Sequence, residues 1–199
     1  FSYFSRRHFC RATVIFVISL MKRGRKDQLT GGTGDVNLQT LGGRVTETAA
    51  NTYTQAAIAV PVMRVGMTGN TAQVIEVLWV EFSCINGENF NAAGEEINLQ
   101  LTQQSASGIR QLDDVDVIAN YSWSMNLLTS GAAIRSDIVH IDLHDGAGHG
   151  MLIASPNIFF GALGVGLATA GTYAFRMGYR FKNVDLREYV GLAIQFGQT

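Results

Sequence analysis

Seven cations stand where they could hold phosphates. Lys22, Arg23, Arg25 and Lys26 fall within five residues, and Arg176, Arg180 and Lys182 recur at even spacing along one strand-like stretch. Clustered ammonium and guanidinium groups neutralise a polyanion without reading its sequence, so both groups are candidate nucleic-acid contacts. A second constellation has metal chemistry within reach. His140, Asp142 and His144 share one face at period two, with His149 across a glycine-bearing turn, and paired imidazoles on strands can ligate zinc. The favoured reading is no metal: Asp145 and the glycines of DGAGHG (145–150) account for the turn by themselves, and no cysteine or second carboxylate cluster converges on it.

Other chemistry is excluded by what is missing. Gly31, Gly32 and Gly34 lack the Lys-Ser/Thr of a nucleotide-binding loop, and neither a strand before them nor a helix after them is predicted. Asp113, Asp114 and Asp116 lack the central glycine and terminal glutamate of a calcium loop, so a solvated loop is expected there. No nucleophile elbow, Cys-His pair or paired catalytic carboxylates can be built from these spacings, so neither enzyme activity nor a cofactor is expected.

The elements that would position these residues are strands. Stretch 173–182 (YAFRMGYRFK) alternates strictly, with Tyr173, Phe175, Met177, Tyr179 and Phe181 on a core face and Arg176, Arg180 and Lys182 on the other. That basic face serves either phosphate contact or cross-strand pairing with acids, and pairing is the favoured reading. Stretch 71–84 (TAQVIEVLWVEFSC) is apolar on both faces, so both should be covered; 95–104 alternates as a half-buried strand. Further strands are expected in 52–66, where Pro61 marks an edge, in 115–128, in 133–143 leading through an Asp-Gly hairpin turn into 151–161, and in 189–196 at the end. About eight strands with no long amphipathic helix predict an all-β fold, a single jelly roll built as an eight-stranded antiparallel sandwich.

Charge divides the chain. After Asp27 there are eight cations against fifteen acids, so a basic arm precedes an acidic body. The expected organisation is a leader of uncertain status at 1–20, which pairs Arg6, Arg7 and Arg11 with an apolar run in the shape of a signal peptide but lacks a cleavage site, and reads either as upstream in-frame sequence before Met21 or as a real extension; a flexible, glycine-rich basic arm at 21–45; and the jelly roll at 46–199. Cys10 and Cys84 are the only cysteines, which excludes a disulfide framework. With 16% of residues charged, much surface is left for self-association.

Taken in order, LTGGTGDVN (29–37) after a short basic start, AQVIEVLWV (72–80), IDLHDGAGHG (141–150) and YRFKNVDLREYVG (179–191) resemble the capsid proteins of small circular Rep-encoding single-stranded DNA viruses, the circovirus-like group. The resemblance runs from Met21 nearly to the end. It implies a non-enzymatic subunit of a small icosahedral shell, T=1 in its simplest form, with the arm inside against circular single-stranded DNA. It also implies a homo-oligomer with no membrane partner, located in the virion and, during assembly, in the host nucleus or cytoplasm. Two other classes compete: a secreted jelly-roll binding module of lectin or cytokine type, using the leader as a signal, and a metal-dependent cupin-like enzyme using His140, His144 and His149.

Overall fold

The structure, a computed structural model, describes residues 38–61, 70–86, 94–124 and 138–195. These form two antiparallel sheets and one helix. Sheet A has the order β1 (Gln39–Thr46), β9 (Thr172–Asp185), β3 (Thr71–Asn86), β6 (Val139–Asp142), with β7 (Met151–Ile153) also on β3. Sheet B runs β2 (Thr54–Ala59), β8 (Asn157–Val165), β4 (Glu96–Thr102), β5 (Val117–Ser124). Most connections cross from one sheet to the other, which is the winding of a jelly roll. Nine strands occupy eight positions, because β6 and β7 pair in succession with the same edge of β3.

The alternating residues of the two sheets meet in one core. Leu41, Val45, Val80, Phe82, Tyr173, Phe175 and Met177 from sheet A face Ile58, Leu99, Leu101, Ile158 and Phe160 from sheet B. Phe160 bridges the layers, 4.9 Å from the ring of Phe175 and 6.0 Å from that of Phe82. A buried acid closes one end of the sandwich: Glu47 accepts the N–H groups of Gly164 (2.7 Å) and Gly171 (2.8 Å), joining the chain after β1 to β8 and to the entry of β9. Two charge-assisted bonds to otherwise orphaned donors make this carboxylate a structural tie.

The expectation that both faces of β3 are covered holds for its first half. There the outward Ala72 and Val74, with Val184 of β9, lie under a helix, α1 (Leu186–Gln195), through Tyr189 and Leu192. This helix replaces the terminal strand expected at 189–196. Asp185 begins it by accepting the N–H of Glu188 (2.7 Å), and Asp185 and Glu188 stand three apart in the manner of a capping box. Tyr189 and Leu192, also three apart, then share the buried face. Two further expectations are corrected. Sheet A begins at Gln39, so residues 39–45, assigned to the arm, are a strand paired with β9. The hairpin expected at DGAGHG is instead an excursion inside one interrupted edge strand: Asp145 N–H bonds His149 O (2.9 Å), Gly146 and Gly148 take positive φ, and β6 and β7 do not pair with each other.

The pairing of β3 with β9 contains a bulge. Val77 lies opposite Tyr179 and Trp79 opposite Gly178, which leaves Leu78 without a partner on β9. One extra residue inverts the alternation beyond it. Glu76 and Glu81, five apart, would point to opposite faces of a regular strand; with the bulge between them both point outward, against Arg180 and Arg176. Leu78 is then free to accept the N–H of Leu143 through its carbonyl (2.8 Å), at the place where β6 gives way to the excursion.

Deleting Leu78 is therefore expected to turn one of the two glutamates into the core, at a cost of several kcal/mol that a domain of this size does not tolerate. Leu78→Ala, which keeps the residue count, should cost only about 1 kcal/mol at this half-buried position. Urea denaturation of soluble protein reads the difference; a Leu78 deletion as stable as Leu78→Ala would contradict the role given to the bulge.

Candidate nucleic-acid interface

The arm cations Lys22, Arg23, Arg25 and Lys26 lie outside the described residues. The other predicted group is placed on the outer face of sheet A, where the strands bring it together with residues far away in sequence. By register, one row across the sheet reads Gly42, Arg176, Glu81, His140; the next reads Thr40, Gly178, Trp79, Asp142; and a third sets Arg180 beside Glu76. Val74 and Lys182 form a fourth pair, and Arg44 projects from β1 beside Ala174. Four of the eight cations that follow Asp27 thus sit on two neighbouring strands.

Glu81 and Glu76 lie beneath their cations, whereas Asp142, opposite Trp79, is exposed. Arg176 donates to Glu81 through Nε (2.9 Å) and Nη2 (2.6 Å), and the arginine side chain is 60% exposed while the glutamate is 18% exposed. Glu76 has no exposure at all. It receives Arg180 Nε, Lys182 Nζ (3.3 Å) and the backbone N–H of Gly150 (3.1 Å), while Arg180 and Lys182 remain 26% and 37% exposed. Two cations on one carboxylate leave a net positive charge facing water. Burial pushes the Glu76 carboxyl up, but the Arg180 hydrogen bond, the Gly150 N–H and the Lys182 and Arg180 charges outweigh it and hold the group below the ordinary glutamate value. Glu81 behaves alike, lowered by Arg176 and His140 against the opposing effect of burial. The pairing reading of the sequence and a phosphate-facing role are compatible in this arrangement, because the carboxylates fix the stems and the cations stay outermost.

The histidines of the metal reading do not converge. His140 meets Glu81 through Nδ1 (3.2 Å) and Asp142 through Nε2 (3.0 Å); His144 is 3.7 Å from the same Asp142; His149 pairs with Asp145 (2.9 Å) inside the excursion. Among the described residues no three His, Cys, Asp or Glu side chains are grouped to hold a metal ion. Asp145 instead closes the loop, and the backbone N–H of His149, its ring and the Ala147 N–H lower its carboxyl to about 2. Arg180 reaches the same loop, donating through Nη2 to Gly148 O (2.7 Å). Of the acids expected to be solvated, Asp113 and Asp114 are exposed. Asp116 is not: it is buried and paired with Arg110 in a loop that folds over the outside of sheet B. That loop is fastened by Gln100, whose amide donates to Tyr53 Oη (2.7 Å) and Gly108 O (2.9 Å) and accepts the Arg110 N–H (2.7 Å). The part of sheet B around Gln100 is thereby covered by its own chain, while Ala57, Ala59, Ser122 and Ser124 stay exposed.

Sequence reasoning missed Trp79, which it placed only among the apolar residues of β3. The indole lies across Gly178, where an added Cβ would collide with the ring at Cε2, and the Arg176 guanidinium lies 5.7 Å and the His140 ring 5.6 Å from the ring centroid. Only the register of β3 against β9, which includes the bulge, places this ring among the cations.

No protein-family model matches this chain, and neither does any curated protein. Solved structures do. Merkel cell polyomavirus VP1 in complex with disialyllactose superposes with a TM-score of 0.52 at 10% identity, over 79% of this chain and 99% of that chain. The unassembled VP1 pentamer of the same virus gives 0.51 at 10% identity over the same shares. Human polyomavirus 12 VP1 in complex with 3'-sialyllactosamine gives 0.47 at 13% identity, over 75% of this chain and 100% of that chain. At these identities the likeness is one of fold: the chain has the two-sheet jelly roll of viral capsid proteins of the VP1 kind. Among the described residues no helix is long and apolar enough to cross a membrane.

The two charge clusters should respond to opposite ends of the pH scale. His140 is raised above its ordinary 6.5 by its hydrogen bonds to Glu81 and Asp142 and by their charges, so its contribution is complete below pH 6.5 and is lost as pH rises through the higher folded value. Protection of the β6 amides against hydrogen exchange is expected to fall over that interval in the native chain and to be flat in His140→Gln. Glu76 is lowered, so its contribution is complete above pH 4.5 and disappears as pH drops through the folded value. Glu76→Gln, which strands two cations around a buried neutral amide, should cost about 3 kcal/mol at neutral pH in urea denaturation.

Proposed function

We propose that this chain is the structural subunit of a small icosahedral virus shell that encloses circular single-stranded DNA, without catalytic activity, and that it acts in the virion. The observation that carries the reading is the jelly-roll topology with four cations gathered on one outer sheet face, next to the first residue of β1. Gln39, the first residue of β1, lies opposite Tyr179, next to Arg180. Residues 21–37, with Lys22, Arg23, Arg25 and Lys26, precede this strand in the chain. The order of sequence segments shared with circovirus-like capsid proteins supports the single-stranded DNA genome and the T=1 shell. The division into a leader at 1–20, a basic arm and a jelly roll belongs to the same proposal, with the start of the roll moved to Gln39.

Four arm cations on single-stranded DNA give a salt slope of only about −3 per subunit, too weak to hold a genome singly. Many copies lining one closed surface turn that tether into strong binding through effective concentration. A low density of charge suits a surface that is largely covered by other copies of itself.

The purified chain is expected to sediment and to appear in electron micrographs as closed particles of uniform size, carrying nucleic acid. Removal of residues 1–37 should leave particles that contain much less of it. A stable monomer of 21.6 kDa at every salt concentration and pH tested would overturn the reading.

A further inference from the structure

On the basis of that reading, we propose that Trp79 is a base-stacking platform for single-stranded nucleic acid on the outer face of sheet A, with Arg44, Arg176, Arg180 and Lys182 as the surrounding phosphate contacts. A half-exposed tryptophan stands on the outer face of the sheet, outside the cluster under α1. An aromatic ring of this size placed among cations is unusual for a merely solvated face, and it is held in position. The ring lies against the Gly178 backbone, in space that any side chain at 178 would fill, with the Arg176 guanidinium over it and the His140 ring tilted 32° beside it. Both neighbours are themselves fixed by Glu81. The ring is thus oriented before any ligand arrives, which removes part of the ordering cost of binding.

The chemistry of the surroundings selects the ligand. Proteins that bind single strands without sequence preference combine aromatic side chains, on which bases stack, with cations that follow the backbone. The row and column arrangement supplies both: Trp79 opposite Gly178, Arg176 one row away, Arg180 in the row on the other side, Lys182 beyond it and Arg44 at the far edge on β1. Glu81 and Glu76, which neutralise Arg176, Arg180 and Lys182, lie underneath them, so a phosphate on that side of Trp79 meets guanidinium and ammonium first; the exposed Asp142 stands on the other side of the ring. A duplex, whose bases are stacked inward, offers the ring nothing. A single strand offers both a base and its phosphate. A neutral glycan could stack on the ring but leaves the cations unused.

The two tryptophans make a direct test feasible, since Trp123→Phe in the full chain leaves Trp79 as the sole reporter. An oligothymidylate of about a dozen nucleotides is titrated in, beside an abasic deoxyribose-phosphate strand of equal length and charge. Trp79 emission should be quenched by the first and nearly unchanged by the second. Trp79→Ala should weaken oligothymidylate binding by roughly five- to a hundred-fold, the range of one base–aromatic stack, while leaving abasic binding unaltered. Trp79→Phe, which keeps a ring on Gly178, should restore most of the loss and guards against misreading a folding defect. Equal weakening for both strands, or no weakening in Trp79→Ala, overturns the platform. So does quenching by sialyllactose or by rising protein concentration in place of oligothymidylate, which would assign the ring to a glycan or to a second copy of the chain. Particle formation is scored separately by microscopy: particles with a silent Trp79 sink the platform alone, and a quenched Trp79 on a chain that never assembles sinks the shell alone.

Discussion

A carboxylate with no access to water, that of Glu76, sets conditions on everything around it. It tolerates burial only because Arg180, Lys182 and the Gly150 N–H reach it at once, and these come from β9 and from the last residue of the excursion before β7. The register of β9 on β3, the position of the excursion at 143–150 and the outward direction of two cations are all fixed by that one group. The bulge at Leu78 extends the condition to Glu81, since without it one of the two acids would lie in the apolar core. The same ladder then supplies the aromatic wall of the core on its inner side and, at its end, the first turn of α1.

The parts of the fold that depend on local alternation were legible in the sequence. Tyr173, Phe175, Met177 and Tyr179 are buried, with Arg176 outward, as their spacing requires, and the long apolar run of β3 is covered on both sides over the half where α1 lies. Features that depend on which strand meets which were not legible. Glu76 and Glu81 read as single acids in an apolar run; nothing local says that a bulge separates them or that arginines stand opposite. Asp-Gly at 145–146 signals a tight reversal, yet the Asp145 carboxylate closes a wider loop by taking the Ala147 and His149 N–H groups. The segment YVGLAIQF carries strand-forming residues, and the helix there follows from a signal that precedes it, Asp185 with Glu188 three residues on. Asp116 looked like part of a solvated trio because its partner, Arg110, becomes a neighbour only when the loop folds over sheet B.

The candidate interface shows the same division. Arg176, Arg180 and Lys182 could be assigned to one strand face from spacing alone. Trp79, Arg44 and the buried acids join them only through pairing, and their geometry changes the meaning of the ion pairs. A surface ion pair stabilises little when both partners are solvated. Here the acid is sunk and the base is raised, so the pair serves mainly to aim a cation.

The interruption between β6 and β7 bears on how copies of this chain could meet. An intact outer strand would display an even row of free N–H and C=O groups, a template onto which a foreign strand could add without limit. At this margin of sheet A, among the described residues, a strand of four is followed by a glycine-bearing loop and then by a strand of three. Strand addition there has only short runs to pair with, unlike the eight-residue edge strands β1 and β5.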